Sequence, residues 1–241
     1  MKTKPRITPT PSALTLEQAK AAVRLSNRMS GWQRTDAALL QLAKTNPGFD
    51  GPSCLLKVVA VNALYGTQIR AVVRMANHVE GVLRKHDAAT AGPELVHDIA
   101  DMPFRTGEKE RRFLSFAAKF CHFFVDVRRF PIYDEAARFM LHFHLGKNGY
   151  PSSKDEPYKA FCEAFARLRA PLPLEGDRDL DRYLWIGGMY ARWLRQRGSK
   201  NVLVNAELLS LFKAPGAEAA RDLDAMLPPE FERPSLARTP G

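Results

Sequence analysis

The chain is expected to fold as an all-α protein, and three observations carry that expectation. Apolar residues recur at three- and four-residue spacing over most of its 241 residues. No segment alternates apolar and polar residues for long enough to form a convincing strand; Val202–Val204 is too short to count. Helix starts and stops are frequent, with Ser, Thr, Asp or Asn before apolar-periodic runs and Gly or Pro after them.

The elements follow in order. Residues 1–13, with Pro5, Pro9 and Pro11 among basic and hydroxyl residues, read as a flexible basic arm. Thr15 and Gln18 form a capping box that opens a helix carrying Leu16, Ala19, Val23 and Leu25. A second helix is expected over Thr35–Ala43, ended by Asn46-Pro47-Gly48. Leu55–Leu64 is short and strongly apolar; Tyr65-Gly66-Thr67 interrupts it before a longer helix over Gln68–Arg84. Further helices are expected over Glu94–Ala100, Glu108–Phe124, Glu135–Leu145 behind Asp134, Pro157–Arg169, Asp177–Arg197, Asn205–Lys213 and Gly216–Leu227. Residues 14–227 thus form one helical domain, and 228–241, rich in proline, read as a flexible tail. The varied helix lengths do not suit a regular four-helix bundle.

Composition narrows the function classes. Lys+Arg number 36 against 26 Asp+Glu, a net charge of +10 that favours an anionic partner, most commonly nucleic acid, through counterion release. No apolar run approaches the roughly 18 residues of a membrane span, and the N-terminal MKTKPRITPTPS lacks the apolar core of a signal peptide. Cys54, Cys121 and Cys162 are odd in number and set in apolar helical patterns, which suits buried reduced thiols in a cytosolic protein better than disulfides or a metal site. His142 and His144 near a helix end are read as favouring the helix dipole, and Tyr183, Trp185, Tyr190 and Trp193 as core. Asp177, Asp179 and Asp181 with Arg178 and Arg182 read as a capped, salt-bridged helix start. No Walker loop, dinucleotide fingerprint or nucleophile–base–acid triad is present.

The segment from Phe113 to Leu141 carries the most chemistry. On the Glu108–Phe124 helix, Glu108, Arg112, Ser115, Lys119 and His122 fall at offsets of four and three, drawing one polar stripe on an otherwise apolar helix. Two readings fit Lys119: a lysine solvating an exposed edge, or one lining a cleft as a nucleophile or phosphate contact. In the second, Arg112 and His122 nearby would lower its pKa. Asp134 similarly fits a plain N-cap, or a carboxylate held ionised by helix-end amides to stabilise a cationic sugar. Tyr133 beside it fits either the core or packing against a base or deoxyribose.

Two segments carry a resemblance to a known family. CLLKVVAVNALYGTQIRAVVRMANHV, residues 54–79, is similar to the early helix pair of the helix-hairpin-helix DNA glycosylase superfamily, which includes endonuclease III, MutY-like and 8-oxoguanine glycosylases. Pro-Ile-Tyr-Asp, ending at Asp134, resembles that family's Pro-Val-Asp-Thr-His type motif at a helix start. The two cover about a third of the chain, in the family's order.

The resemblance implies a two-lobed helical fold with a cleft between the lobes, and a monomeric enzyme that excises a modified base from duplex DNA by base flipping. Asp134 would stabilise the oxocarbenium-like sugar; Lys119, if near enough, would attack C1′ as the Schiff-base lysine of glycosylase/lyases, and otherwise the enzyme would be a monofunctional glycosylase. Asn62, Tyr65 and Gln68 would enter the duplex or face the flipped base. Phe116, His122 and Tyr133 are further candidates for stacking or hydrogen bonding to it. In the region of the family's phosphate-gripping hairpin, MPFRTGEKERR offers Arg105, Lys109, Arg111 and Arg112, and the loop before Asp134 offers Arg128 and Arg129. No cofactor, metal or membrane partner is expected, and the location is cytoplasmic, or nucleoid-associated in a bacterium. Two other readings stay open: a non-catalytic nucleic-acid binder on the same scaffold, and a basic helical module that contacts an acidic protein.

Overall fold

The computed structural model describes residues 12–103, 111–196, 204–228 and 231. Among the described residues every regular element is a helix: α1 Leu16–Ser26, α2 Ser30–Thr45, α3 Gly51–Tyr65, α4 Val72–Leu83, α5 Pro93–Ala100, α6 Leu114–Phe124, α7 Glu135–Gly149, α8 Pro157–Arg169, α9 Asp177–Gln196, α10 Ala206–Lys213 and α11 Ala217–Met226. The Thr15 capping box is present in both directions. The all-α expectation therefore holds, and the helix starts show where local signals compete with packing.

Four starts differ by four residues or more from the sequence reading. Helix α3 begins at Gly51, not Leu55, because Asp50 caps it, its Oδ1 accepting from Ser53 N (2.8 Å). Helix α2 begins at Ser30, five residues before Thr35, because its free amides are capped from outside: the Glu207 carboxylate accepts from Gly31 N (2.9 Å) and Trp32 N (3.0 Å). Helix α4 begins at Val72, not Gln68, because Gln68 sits at φ 60°, a left-handed conformation that cannot continue a right-handed helix. The described part of α6 begins at Leu114, not Glu108. Residues 111–113 run non-helically against the end of α5, with Phe113 N donating to Ala100 O (2.9 Å). Arg112 therefore leaves the polar stripe, and Glu108 lies outside the described residues. Helix α7 runs beyond Leu145 to Gly149, with a kink at Gly146 (φ 63°) that glycine tolerates.

Packing centres on two helices within one continuous buried core. Helix α9 packs on α7, α1 and α10, while α6 packs on α5, α3 and α2. The most extensive helix packing among the described residues is α7 on α9. A Cβ placed on Gly188 of α9 would lie 2.6 Å from both Cα and C of Ala136, so the two backbones meet there with no room for a side chain. Arg24 of α1 and Arg28 in the turn after it tie α11 in place by converging on the buried Asp222 (2.7 and 3.3 Å). Phe231, which the sequence places in the tail, is buried with its ring 5.0 Å from that of Phe143. His144 bonds through its two ring nitrogens to the Tyr183 hydroxyl and the Ser12 carbonyl, so it is a tie inside the fold and not a dipole-facing imidazole at a helix end. Among the described residues no helix is long and apolar enough to cross a membrane.

Candidate active site

The loop before α7 is pinned from three sides, and that fixes Asp134. His122 Nδ1 of α6 donates to the Phe130 carbonyl (2.8 Å), and the Tyr158 hydroxyl of α8 donates to the Pro131 carbonyl (2.9 Å). Ile132 N donates to Asp181 Oδ1 of α9 (3.1 Å). Arg129 adds bonds to Asp126 and to the carbonyls of Ala88 and Ala91. Asp134 then caps α7, its Oδ1 accepting from Ala137 N (2.8 Å).

Asp134 opens onto a pocket of about 620 Å³ that also contains Lys119. The other walls come from Trp32 and Thr35 of α2, Leu64 and Tyr65 of α3, Ser115 of α6, Glu135 and Ala136 of α7, and Trp185, Met189 and Arg192 of α9, with Gly31, Asn205 and Glu207 at the rim. Trp32 and Trp185 stack on each other, 5.0 Å between centroids and 14° between planes. The core assignment made for Trp185 from its helical spacing is corrected: it is half-buried and lines the pocket.

Lys119 is not on an exposed edge. From Phe116 onward every residue of α6 is buried, and Lys119 is 5% exposed. Its Nζ donates to Ser115 Oγ one turn earlier (2.8 Å) and lies 5.7 Å above the Tyr65 ring. Burial pushes the amine below the ordinary lysine range, while Asp134 and Asp181 oppose that shift. The cause is desolvation and not Arg112, which is committed elsewhere: it pairs with Asp101 (2.6 Å) and donates to the carbonyls of Lys154 and Asp155. The Tyr65 hydroxyl donates to Asp36 Oδ1 (2.5 Å), and Arg178 holds the other Asp36 oxygen, so α2, α3 and α9 are locked together behind the pocket. Burial and the facing Asp36 keep the Tyr65 phenol well above its usual pKa.

A smaller recess adjoins the pocket, sharing Trp32, Tyr65, Asp134 and Trp185 and adding His122, Ile132, Arg178, Asp181 and Arg182. Asp181 is buried and accepts a loop amide, which corrects its assignment to a salt-bridged helix start. The pairs that do form there are Arg182 with Asp179 (3.0 Å) and Arg169 with Asp177 (3.2 Å).

The remaining candidates are placed elsewhere. Asn62 is spent on the turn after α3, accepting from Ile69 N (2.8 Å) and Thr67 Oγ1 and donating to the Ile69 carbonyl. That grip presents Gln68 exposed at the turn in its left-handed conformation. Phe116 is buried against Phe120 (6.0 Å) and Tyr133 against Phe161 (5.1 Å); neither lines the pocket. Among the basic candidates Arg111 and Arg128 are exposed, Arg112 and Arg129 are bound internally, and Arg105 and Lys109 lie outside the described residues. Sequence reasoning missed Trp32, Asp36, Arg178 and Glu207. Trp32 next to Ser30-Gly31 had no periodic signal, and the others act through partners more than 100 residues away, except where Asp36 meets Tyr65.

Glu207→Ala tests the outside cap of α2. The expected loss is about 1 kcal/mol of stability, together with a changed tryptophan emission as Trp32 loosens. A variant with unaltered melting and emission would show that the cap contributes nothing.

Residues 17–128 match a family model described as HI_0787_N, an N-terminal domain. A stretch of 128 residues is 28% identical to an uncharacterized protein of Haemophilus influenzae, covering 53% of this chain and 62% of that relative. The chain thus spans about three fifths of the relative's length. No solved structure matches. The matched family segment contains Trp32, Tyr65, Lys119 and His122 and stops before Asp134, Asp181 and Trp185.

Proposed function

We propose that the chain is a DNA glycosylase/lyase that excises a modified base from duplex DNA. The observation that supports it most is the shared pocket: a buried, desolvated lysine and a helix-capping aspartate, fifteen residues apart in sequence, line one aromatic-walled cavity. A desolvated amine spends more of its time as the free base, the form that attacks carbon. In this reading the Lys119 nitrogen bonds to C1′ as the N-glycosidic bond breaks, and the base leaves with the bonding electrons and acquires a proton. Asp134 offsets the positive charge that builds on the sugar. Opening of the C1′–O4′ bond then gives the imine, from which loss of a proton at C2′ permits β-elimination of the 3′ phosphate. In the same reading Gln68, exposed at the Asn62 turn, would enter the duplex, and the exposed Arg111 and Arg128 would meet phosphate.

Borohydride trapping on a panel of lesion-containing duplexes tests the reading. A covalent adduct is expected with the intact chain and none with Lys119→Met. No adduct and no base release across the panel would leave only nucleic-acid binding or an acidic protein partner to account for the basic surface.

Lys119→Met carries a second expectation. The folded-state pKa of Lys119 lies below its unfolded value, so the unfolded chain binds this proton more tightly. The lysine therefore costs stability, in full below its lowered folded pKa and less as pH rises toward the ordinary lysine value of about 10.4. The Met variant should melt higher at neutral pH, with the gain shrinking at alkaline pH. A melting temperature lowered at every pH would contradict a functional lysine held at the expense of stability.

A further inference from the structure

We propose that the recess beside the main pocket is a recognition subsite for the hydrogen-bonding edge of a planar heterocycle, with His122 Nε2 as acceptor and Asp181 Oδ2 as the second contact. The proposal deepens the glycosylase reading and rests on it for the identity of the heterocycle as a base.

Each of these side chains is half used. His122 is 1% exposed, and its Nδ1 faces the Phe130 carbonyl, which can only accept. The proton is therefore on Nδ1, leaving a lone pair on Nε2. Nε2 is buried and has no partner. Asp181 is 8% exposed; Oδ1 takes the Ile132 amide, and Oδ2 is buried without a partner. Among the described residues three buried polar atoms of the side chains lining this recess have no partner, Arg182 Nε being the third. Such atoms are costly unless something meets them, because each forfeits its hydration. The loop bonds alone would be served as well by side chains with one polar atom each.

Protonation states sharpen the chemistry. Burial pushes the His122 imidazole down to about 3, with Arg178 adding to the effect, so the ring is neutral and remains an acceptor. Burial pushes the Asp181 carboxyl well above the usual carboxylate range, which favours the acid, and the acid can donate through Oδ2. The complement is an edge that bears an N–H beside an acceptor atom. The recess is about 30 Å³, room for one or two polar atoms and not for a ring, so the ring itself must remain in the larger pocket beside Trp32, Tyr65 and Trp185.

Calorimetric titration of the full chain with uracil and hypoxanthine, and with their ring-N-methylated forms, tests the proposal without requiring turnover. His122→Asn keeps a side-chain N–H for the Phe130 carbonyl and, being shorter, leaves no acceptor at the Nε2 position. Asp181→Asn keeps an oxygen for Ile132 N and offers an N–H where the acid offered O–H. With the intact chain, at least one heterocycle should bind about tenfold or more tightly than its methylated form, the scale of one buried hydrogen bond. His122→Asn should abolish that preference, Asp181→Asn should retain it, and Asp181→Leu should lose it. Equal binding of methylated and unmethylated forms by the intact chain, or an undiminished preference in His122→Asn, would overturn the subsite. Base release from lesion duplexes, measured in parallel, separates the two ideas: release with no edge preference leaves a glycosylase without this subsite, whereas edge preference without release leaves the subsite in a protein that is not a glycosylase.

Discussion

Asp134→Asn should lower base release by on the order of 10²–10³-fold while leaving the melting temperature nearly unchanged. The two halves of that result come from two different properties of one side chain. As an N-cap, Asp134 needs only an oxygen that accepts from Ala137 N, and asparagine supplies one equally well. As a charge facing the pocket, it needs the negative carboxylate, which asparagine lacks. Asp134→Ala removes both and should cost about 1 kcal/mol in addition to activity. The pair of variants therefore separates the cap from the chemistry, with thermal unfolding reading the first and single-turnover base release the second. Undiminished release by the Asn variant would reduce Asp134 to a cap and remove the central residue of the proposed mechanism.

Gly188→Ala should be the most damaging single methyl group in the described fold. The new Cβ meets the Cα, carbonyl carbon and oxygen of Ala136, and backbone atoms cannot rotate aside. Helices α7 and α9 must separate by roughly 1 Å, which an overpacked core resists at a cost of about 1–3 kcal/mol or more. For a chain of this size that corresponds to a melting temperature lower by roughly 2–12 °C. Ala136 lies two residues after Asp134, so the same displacement shifts the cap relative to Lys119, and base release should fall further than stability alone accounts for. Gly187→Ala is the control: its Cβ meets the terminal Cε of Met140 at 2.9 Å and Sδ at 3.2 Å, a flexible side chain that can swing away. Equal effects of the two substitutions would show that the α7–α9 approach is looser than its backbone contact indicates.

Local chemistry explains why Asp134 was legible and much of its setting was not. An aspartate after Pro-Ile-Tyr and before an apolar-periodic run is a cap by sequence alone, and the structure makes it one. The burial of α6 was foreshadowed by its aromatic residues on nearly every face. Lys119 was harder, because a polar stripe on a buried helix faces water, a cleft or another helix with the same spacing. Its stripe was also drawn through Arg112, a residue that the Asp101 carboxylate and the end of α5 hold outside the helix. Trp185 shows the opposite error. Its spacing with Tyr183 and Trp193 reads as core, yet only Trp32 of α2, stacked 5.0 Å away, makes it a pocket wall.

By itself the sequence determined the helices, the α1 capping box, the Asp134 cap and the apolar face that each helix buries, because these follow from bonds and periodicities within a few residues. Tertiary structure decided that Lys119, Asp134, Trp32 and Trp185 face one pocket, and that His122 and Asp181 each keep one atom for the recess beside it. Periodicity specifies which side of a helix leaves water but not which helix it meets. That choice is made where backbones can approach, as at Gly188, and where a distant carboxylate such as Glu207 or Asp181 finds the amide it completes.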